Sequence, residues 1–105
     1  MRLSRKSEYA CLALLDLSES YSDSPSRIKD ISFRKDIPKK YLEQILLLLK
    51  GAGIVKSRRG VEGGYLLARD PSEITVAEVI RLIDGPLAPV DSVSHYFYDA
   101  TPIEK

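Results

Sequence analysis

Apolar residues recur at spacings of three and four in four stretches of the chain, and two short apolar runs lie between the third and fourth stretch. Tyr9, Leu12, Ala13, Leu15 and Leu17 give a first helix its apolar face, with Ser4 or Ser7 as cap and an end near Ser20. Tyr21 to Pro25 is turn chemistry. Ser26 is placed to cap a short second helix with Ile28 and Ile31 inward, ending near Arg34. Lys35-Asp36-Ile37 turns into a third helix, and Pro38 sits at its start, where a missing N–H does no harm. Leu42, Ile45, Leu49 and Ala52 form that helix's stripe, and Gly51 and Gly53 end it.

Ile54 to Ser57 and Tyr65 to Ala68 read as strands, joined by a loop in which Gly60, Gly63 and Gly64 supply positive φ. Asp70-Pro71 closes the hairpin, and Thr75-Val76-Ala77-Glu78 is a capping box for a last helix facing inward through Val76, Val79, Ile80 and Ile83. Gly85-Pro86 stops it, and the pattern decays from Leu87. The expected fold is mainly α with a small β-hairpin, a winged helix-turn-helix over residues 1–85, with residues 86–105 as loop.

Charge sharpens this picture. The net charge of the 105 residues is only +1, which by itself argues against a nucleic-acid partner. The charge is split, however: Met1 to Arg69 carries 14 Lys and Arg against 8 Asp and Glu, and Asp70 to Lys105 carries 2 against 7. A basic body with an acidic tail fits a nucleic-acid face beside a separate regulatory region. Cys11 is the only cysteine and lies in an apolar helical run, so a small buried hydrophobe is expected there rather than a disulfide or a reactive thiol. Arg2, Arg5 and Lys6 before Tyr9 to Leu15 faintly resemble a signal peptide, but Glu8 and Asp16 bracket the run and no small-residue cleavage site follows. The expected location is cytoplasmic, with no membrane partner.

The candidate chemistry gathers between Ile37 and Arg69. On the third helix Lys39 and Lys40 can neutralise phosphate or reach guanine acceptors, Gln44 can pair with adenine, and Glu43 can accept from cytosine. Tyr41 can hydrogen-bond a phosphate or pack with Ile45 and Leu48, and the sequence leaves both open. Arg58 and Arg59 stand at the wing, where an arginine can enter a narrow minor groove. Gly63 and Gly64 would allow backbone approach to a phosphate, or simply form the hairpin loop. Arg2 and Ser4, with Arg5 and Lys6, add expected phosphate contacts at the start of the first helix. One histidine, one cysteine and scattered carboxylates give no nucleophile–base arrangement and no metal spacing, so no enzyme, no catalytic residue and no metal site is expected.

Several segments closely resemble the Rrf-two family of bacterial winged-helix regulators, the IscR, NsrR and CymR type. They are Met1-Arg2-Leu3-Ser4, Tyr9-Ala10, Tyr41-Leu42-Glu43-Gln44-Ile45, Gly53-Ile54-Val55-Lys56-Ser57, Arg59-Gly60, Gly63-Gly64-Tyr65-Leu66-Leu67-Ala68, Glu73-Ile74-Thr75-Val76 and Asp84-Gly85-Pro86-Leu87-Ala88-Pro89-Val90. The resemblance covers roughly residues 1–90. It implies a homodimer on a pseudo-palindromic double-stranded DNA operator, usually repressing transcription, with a small-molecule or protein co-regulator. Lys39, Lys40, Tyr41, Glu43 and Gln44 would lie on its recognition helix, and Arg59 would be its minor-groove wing arginine.

Two departures stand out. Many relatives hold an iron–sulfur cluster on three cysteines, but Ser92, Thr101 and Ile103 stand about where those are expected, so no cofactor is expected here. Glu8 matches a carboxylate ligand of some relatives, and His95 alone is not a site. Relatives also continue into a long dimerising helix. Residues 86–105 would be the start of that sensor and dimerisation region, apparently shortened, with Tyr96, Phe97 and Tyr98 available to an interface. The competing reading is a winged-helix protein-interaction module without direct DNA binding.

Overall fold

The computed structural model describes residues 3–19 and 24–85. Their order is α1 (Arg5–Glu19), α2 (Ile28–Lys35), α3 (Lys39–Gly51), β1 (Val55–Arg58), β2 (Gly64–Leu67), one turn of 3-10 helix (Pro71–Glu73) and α4 (Val76–Asp84). This is the expected winged helix-turn-helix, mainly α with one hairpin. The chain from Pro86 onward, with Tyr96 to Tyr98 and the positions expected for cluster ligands, lies outside the described residues, as do Arg2 and the turn residues Ser20 to Asp23.

Local signals set most boundaries. Ser4 rather than Ser7 caps α1, its hydroxyl oxygen accepting from the Ser7 N–H at 3.0 Å. The α2–α3 turn is tight because Asp36 adopts the left-handed conformation at φ 54°. There the Asp36 and Ile37 N–H groups both reach the Ser32 carbonyl, and the Ser32 hydroxyl donates to the Ile37 carbonyl at 2.6 Å. Thr75 and Glu78 close the capping box of α4 reciprocally.

Five expectations are corrected. The buried stripe of α1 is Ala10, Ala13, Leu14 and Leu17, while Tyr9, Leu12 and Leu15 are only half-buried. α1 packs against α2, α3, α4 and β2, which together cover this stripe. Ser26 does not cap α2, whose N-cap is Arg27 without a side-chain bond; it pairs as a strand residue with Tyr65 instead. Ala52 is exposed, and Leu46 completes the α3 stripe with Leu42, Ile45 and Leu49. Both strands are displaced by one residue, and Gly63 is not a positive-φ position.

α1, α3 and α4 meet over a shared core in which Leu14, Leu42, Ile45, Leu46, Leu49 and Val79 are fully buried. Each such side chain contributes about 1.5–3 kcal/mol relative to exposure. β1 and β2 pair antiparallel, with Val55 opposite Leu67 and Arg58 opposite Gly64. Ser26 pairs with β2 through two backbone bonds, Ser26 N–H to the Tyr65 carbonyl at 2.9 Å and Tyr65 N–H to the Ser26 carbonyl at 2.8 Å. The hairpin is therefore fastened to the helical body at its root.

A fork from Arg69 to Glu78 (2.7 and 3.2 Å) ties the exit of the hairpin to α4. That hydrogen bond holds the Glu78 carboxyl below the ordinary glutamate range. A depressed carboxylate pKa stabilises the fold fully above the unfolded value of about 4.3 and progressively less as pH falls through the folded value. Acid titration of the unfolding midpoint will therefore show a steeper loss below about pH 4.5 in the wild type than in Glu78→Gln. Parallel titrations of the two proteins would exclude this linkage.

Candidate nucleic-acid interface

Several cations of the described residues are paired inside the fold. Arg5 lies 3.8 Å from Glu8, Arg34 and Lys35 lie 2.8 and 3.4 Å from Asp16 and Glu19, and Arg69 lies 2.7 Å from Glu78. The side chains of Lys39, Lys40, Arg58 and Arg59 are exposed and make no hydrogen bond or ion pair with any described residue, as is also true of Lys29, Lys50 and Lys56. Of the paired cations, Arg34 and Arg69 join separate elements, whereas Lys39 and Lys40 at one helix end and Arg58 and Arg59 at the wing leave their charge to solvent or to a partner.

Lys39 and Lys40 open α3 at its positive end. The first turn of α3 has no acidic residue, and its N-cap, Pro38, offers no side-chain acceptor. Two lysines against the helix dipole weaken an isolated helix, and the arrangement suits an anion outside the protein. Glu43 and Gln44 follow on the exposed side, both without an internal partner. The Tyr41 ring meets that of Tyr9 at 5.8 Å while 43% of the residue stays exposed. The α1 contact orients the ring and leaves part of the side chain at the surface.

The wing is shaped by its own backbone. Gly60 turns at φ 107°, and the Gly63 N–H donates to the Gly60 carbonyl at 2.9 Å. A Cβ on Gly63 would lie 2.3 Å from the Arg58 carbonyl oxygen, and one on Gly64 would lie 2.5 Å from the Ser26 carbonyl oxygen. Both glycines thus have a reason inside the fold, hairpin closure for Gly63 and attachment to Ser26 for Gly64, which the loop composition did not disclose. Arg27 braces the tip by donating to the Val61 carbonyl, a contact with no sequence signal.

Ser4 is also committed internally. Its hydroxyl donates to Asp84 Oδ1 at 2.7 Å, and Ser7 donates to Asp84 Oδ2 at 2.9 Å. The Ser4 proton that a phosphate would accept is already bound to a carboxylate at the end of α4. The structure thus brings Lys39, Lys40, Glu43 and Gln44 onto one exposed helix end and Arg58 and Arg59 onto the wing, and assigns Ser4, Gly63 and Gly64 to holding the frame.

This frame recurs in solved structures. CymR (YrzC), described as the global cysteine regulator of B. subtilis, superposes with a TM-score of 0.90 at 29% identity, covering 99% of this chain and 94% of that one. T. potens IscR gives a TM-score of 0.84 at 33% identity, covering 98% and 83%. The family profile described as "Rrf2: Iron-dependent Transcriptional regulator" matches residues 3–101. The chain belongs to the Rrf2 family. Among curated relatives it is 36% identical over 91 residues to the HTH-type transcriptional regulator CymR of Bacillus subtilis (strain 168), covering 87% of this chain and 66% of that protein. It is 48% identical over 84 residues to the HTH-type transcriptional regulator IscR of Photorhabdus laumondii, covering 80% and 51%. The chain thus spans from about half to just under two-thirds of these curated relatives. The family is one of transcriptional regulators rather than enzymes.

The family description names iron, and the donors of this chain do not fit an iron–sulfur cluster held in the usual way. Such clusters need several thiolates, and Cys11 is the only cysteine in the 105 residues. It is half-buried in α1, and burial pushes its thiol up to about 11, so it stays protonated at neutral pH. Glu8 is exposed beside Arg5. Among the described residues no group of three or more His, Cys, Asp or Glu is placed to hold a metal. No described helix is long and apolar enough to cross a membrane.

Proposed function

We propose that this chain is the DNA-binding part of a cytoplasmic transcriptional regulator that represses from a pseudo-palindromic operator as a homodimer. The observation that carries the reading is the placement of exposed cations with unpaired side chains, two at the start of α3 and two at the wing. A recognition helix enters the major groove N-terminus first, and a wing steadies it on the backbone or in the minor groove. Lys39, Lys40 and Arg58 neutralise phosphate. Glu43 and Gln44 read base edges, and Arg59 enters the minor groove where A·T-rich sequence narrows it. Tyr41, oriented by Tyr9, reaches a phosphate through its hydroxyl, and Arg2 extends the basic strip. The regulation uses a small molecule or a protein co-regulator, without a cluster on these 105 residues.

Binding to operator fragments across a salt series tests this. Neutralising Lys and Arg release counterions, so affinity falls steeply between about 50 and 200 mM salt. A flat response would sink the reading. Arg59→Ala and Gln44→Ala each weaken specific binding by about 1–3 kcal/mol, and Arg59→Ala also loses preference for A·T-rich flanks. If Lys39→Glu left DNA binding intact and released a protein partner instead, the interaction-module reading would replace this one.

A further inference from the structure

One residue on the exposed side of α3 is unlike its surroundings. Leu47 sits in the run Leu46-Leu47-Leu48-Leu49, yet it is 65% exposed while Leu46 and Leu49 are fully buried. Leu48 is less open, at 38%, and lies on the same flank as Tyr41, which faces α1. Helical geometry places Leu47 with Lys40 and Gln44 in a strip about 60° wide, opposite the Leu42–Ile45–Leu49 stripe. From Lys40 to Leu47 the strip runs about 10 Å along the axis, comparable with the roughly 12 Å width of a major groove.

Resting on the DNA-binding reading above, we propose that Leu47 is a specificity-determining residue that recognises a thymine through its C5-methyl group. The Leu42–Ile45–Leu49 stripe leaves Leu47 off the core face, and its exposure separates it from the leucines around it. The polar members of the strip, Lys40 and Gln44, can read acceptors and adenine but have no means of sensing a methyl group. An aliphatic side chain beside them supplies that contact, because thymine carries the only methyl group on a major-groove edge of unmodified DNA. Leu47 makes this contact by excluding water between two apolar groups, so it adds sequence preference with little salt dependence. Among the described residues, the other large apolar side chains more than half exposed, Phe33 and Val61, lie on α2 and in the wing loop, outside this strip.

The test uses the 105-residue chain and the tightest duplex it enriches from a randomised oligonucleotide pool. Each thymine of one half-site is replaced in turn by deoxyuridine, which removes the methyl group and nothing else. For wild type, one position should weaken binding about fourfold, the effect of one buried methyl group. Leu47→Ala, an exposed helical site where alanine keeps the helix, should bind that thymine and its deoxyuridine counterpart equally well. Circular dichroism and thermal unfolding of Leu47→Ala check that the fold is kept. A wild-type protein indifferent to every replacement overturns the proposal, as does an Leu47→Ala variant that keeps full discrimination. Failure to enrich any duplex is a different result, which overturns the DNA-binding reading itself.

Discussion

Arg34→Ala should lower the unfolding free energy by about 3 kcal/mol, whereas Asp16→Ala should cost only about 1 kcal/mol. The two residues form one pair, with Arg34 Nε and Nη2 donating to the two Asp16 oxygens at 2.8 and 2.9 Å. The asymmetry comes from burial: the Asp16 side chain is 2% exposed and that of Arg34 is 47% exposed. Without Arg34, a carboxylate inside the protein loses both donors. Without Asp16, the guanidinium swings into water. The Asp16→Ala/Arg34→Ala double variant should recover most of the Arg34→Ala loss, because no buried charge is stranded. Equilibrium urea unfolding of the three variants measures this, and equal costs for the two single changes would refute the account. Arg34 Nη2 also donates to the Ser26 hydroxyl at 3.1 Å, so the same residue joins α1, α2 and the strand residue that anchors the wing.

Gly64→Ala should separate the wing from the helical body. The added methyl would meet two backbone atoms of Ser26, at 2.5 and 2.6 Å, and φ at this position is 152°. Neither neighbour is a flexible side chain, so the Ser26–Tyr65 pairing must open. Backbone strain and two lost hydrogen bonds together cost about 2–4 kcal/mol. Hydrogen exchange should show the Ser26 and Tyr65 amides losing protection while the α3 amides keep theirs. DNA affinity should also fall, and its salt dependence become shallower, because Arg58 and Arg59 no longer ride on a fixed hairpin. Gly51→Ala is the control: nothing lies within 4 Å of its added methyl, and the residue ends α3 in helical conformation. That change should stabilise the protein by about 0.5–1 kcal/mol. Unaltered exchange at Ser26 in Gly64→Ala would mean that the wing root tolerates the methyl group.

Both predictions concern contacts that span the chain, which is where the sequence was least legible. Short-range signals were readable because their partners lie within one helical turn. Thr75 and Glu78 are three residues apart and form the expected capping box, and Pro38 marks the start of α3. The glycine-rich loop reads as a hairpin, and Lys39, Lys40, Arg58 and Arg59 are visible as a basic helix start and a basic loop within the basic half of the chain.

Long-range pairing followed a different rule. Ser4 looked like a free phosphate ligand, but it bonds Asp84, 80 residues away, because the start of α1 meets the end of α4. Ser26 carried the signature of an N-cap, yet the hairpin offered its backbone a strand partner. A serine hydroxyl can donate and accept, so it can serve a helix end, a carboxylate or a guanidinium, and the packing of the helices decides which of them it meets. The leucines from 46 to 49 make the same point: four identical side chains differ only in which way α3 turns each of them. Residue chemistry and spacing are enough to settle the helices, the hairpin and where positive charge accumulates. Which hydroxyls stay free, which glycines are sterically required and how far the flanking Leu46 and Leu48 are covered depend on how the amphipathic faces close on one another, since burial and backbone proximity exist only once distant segments have met.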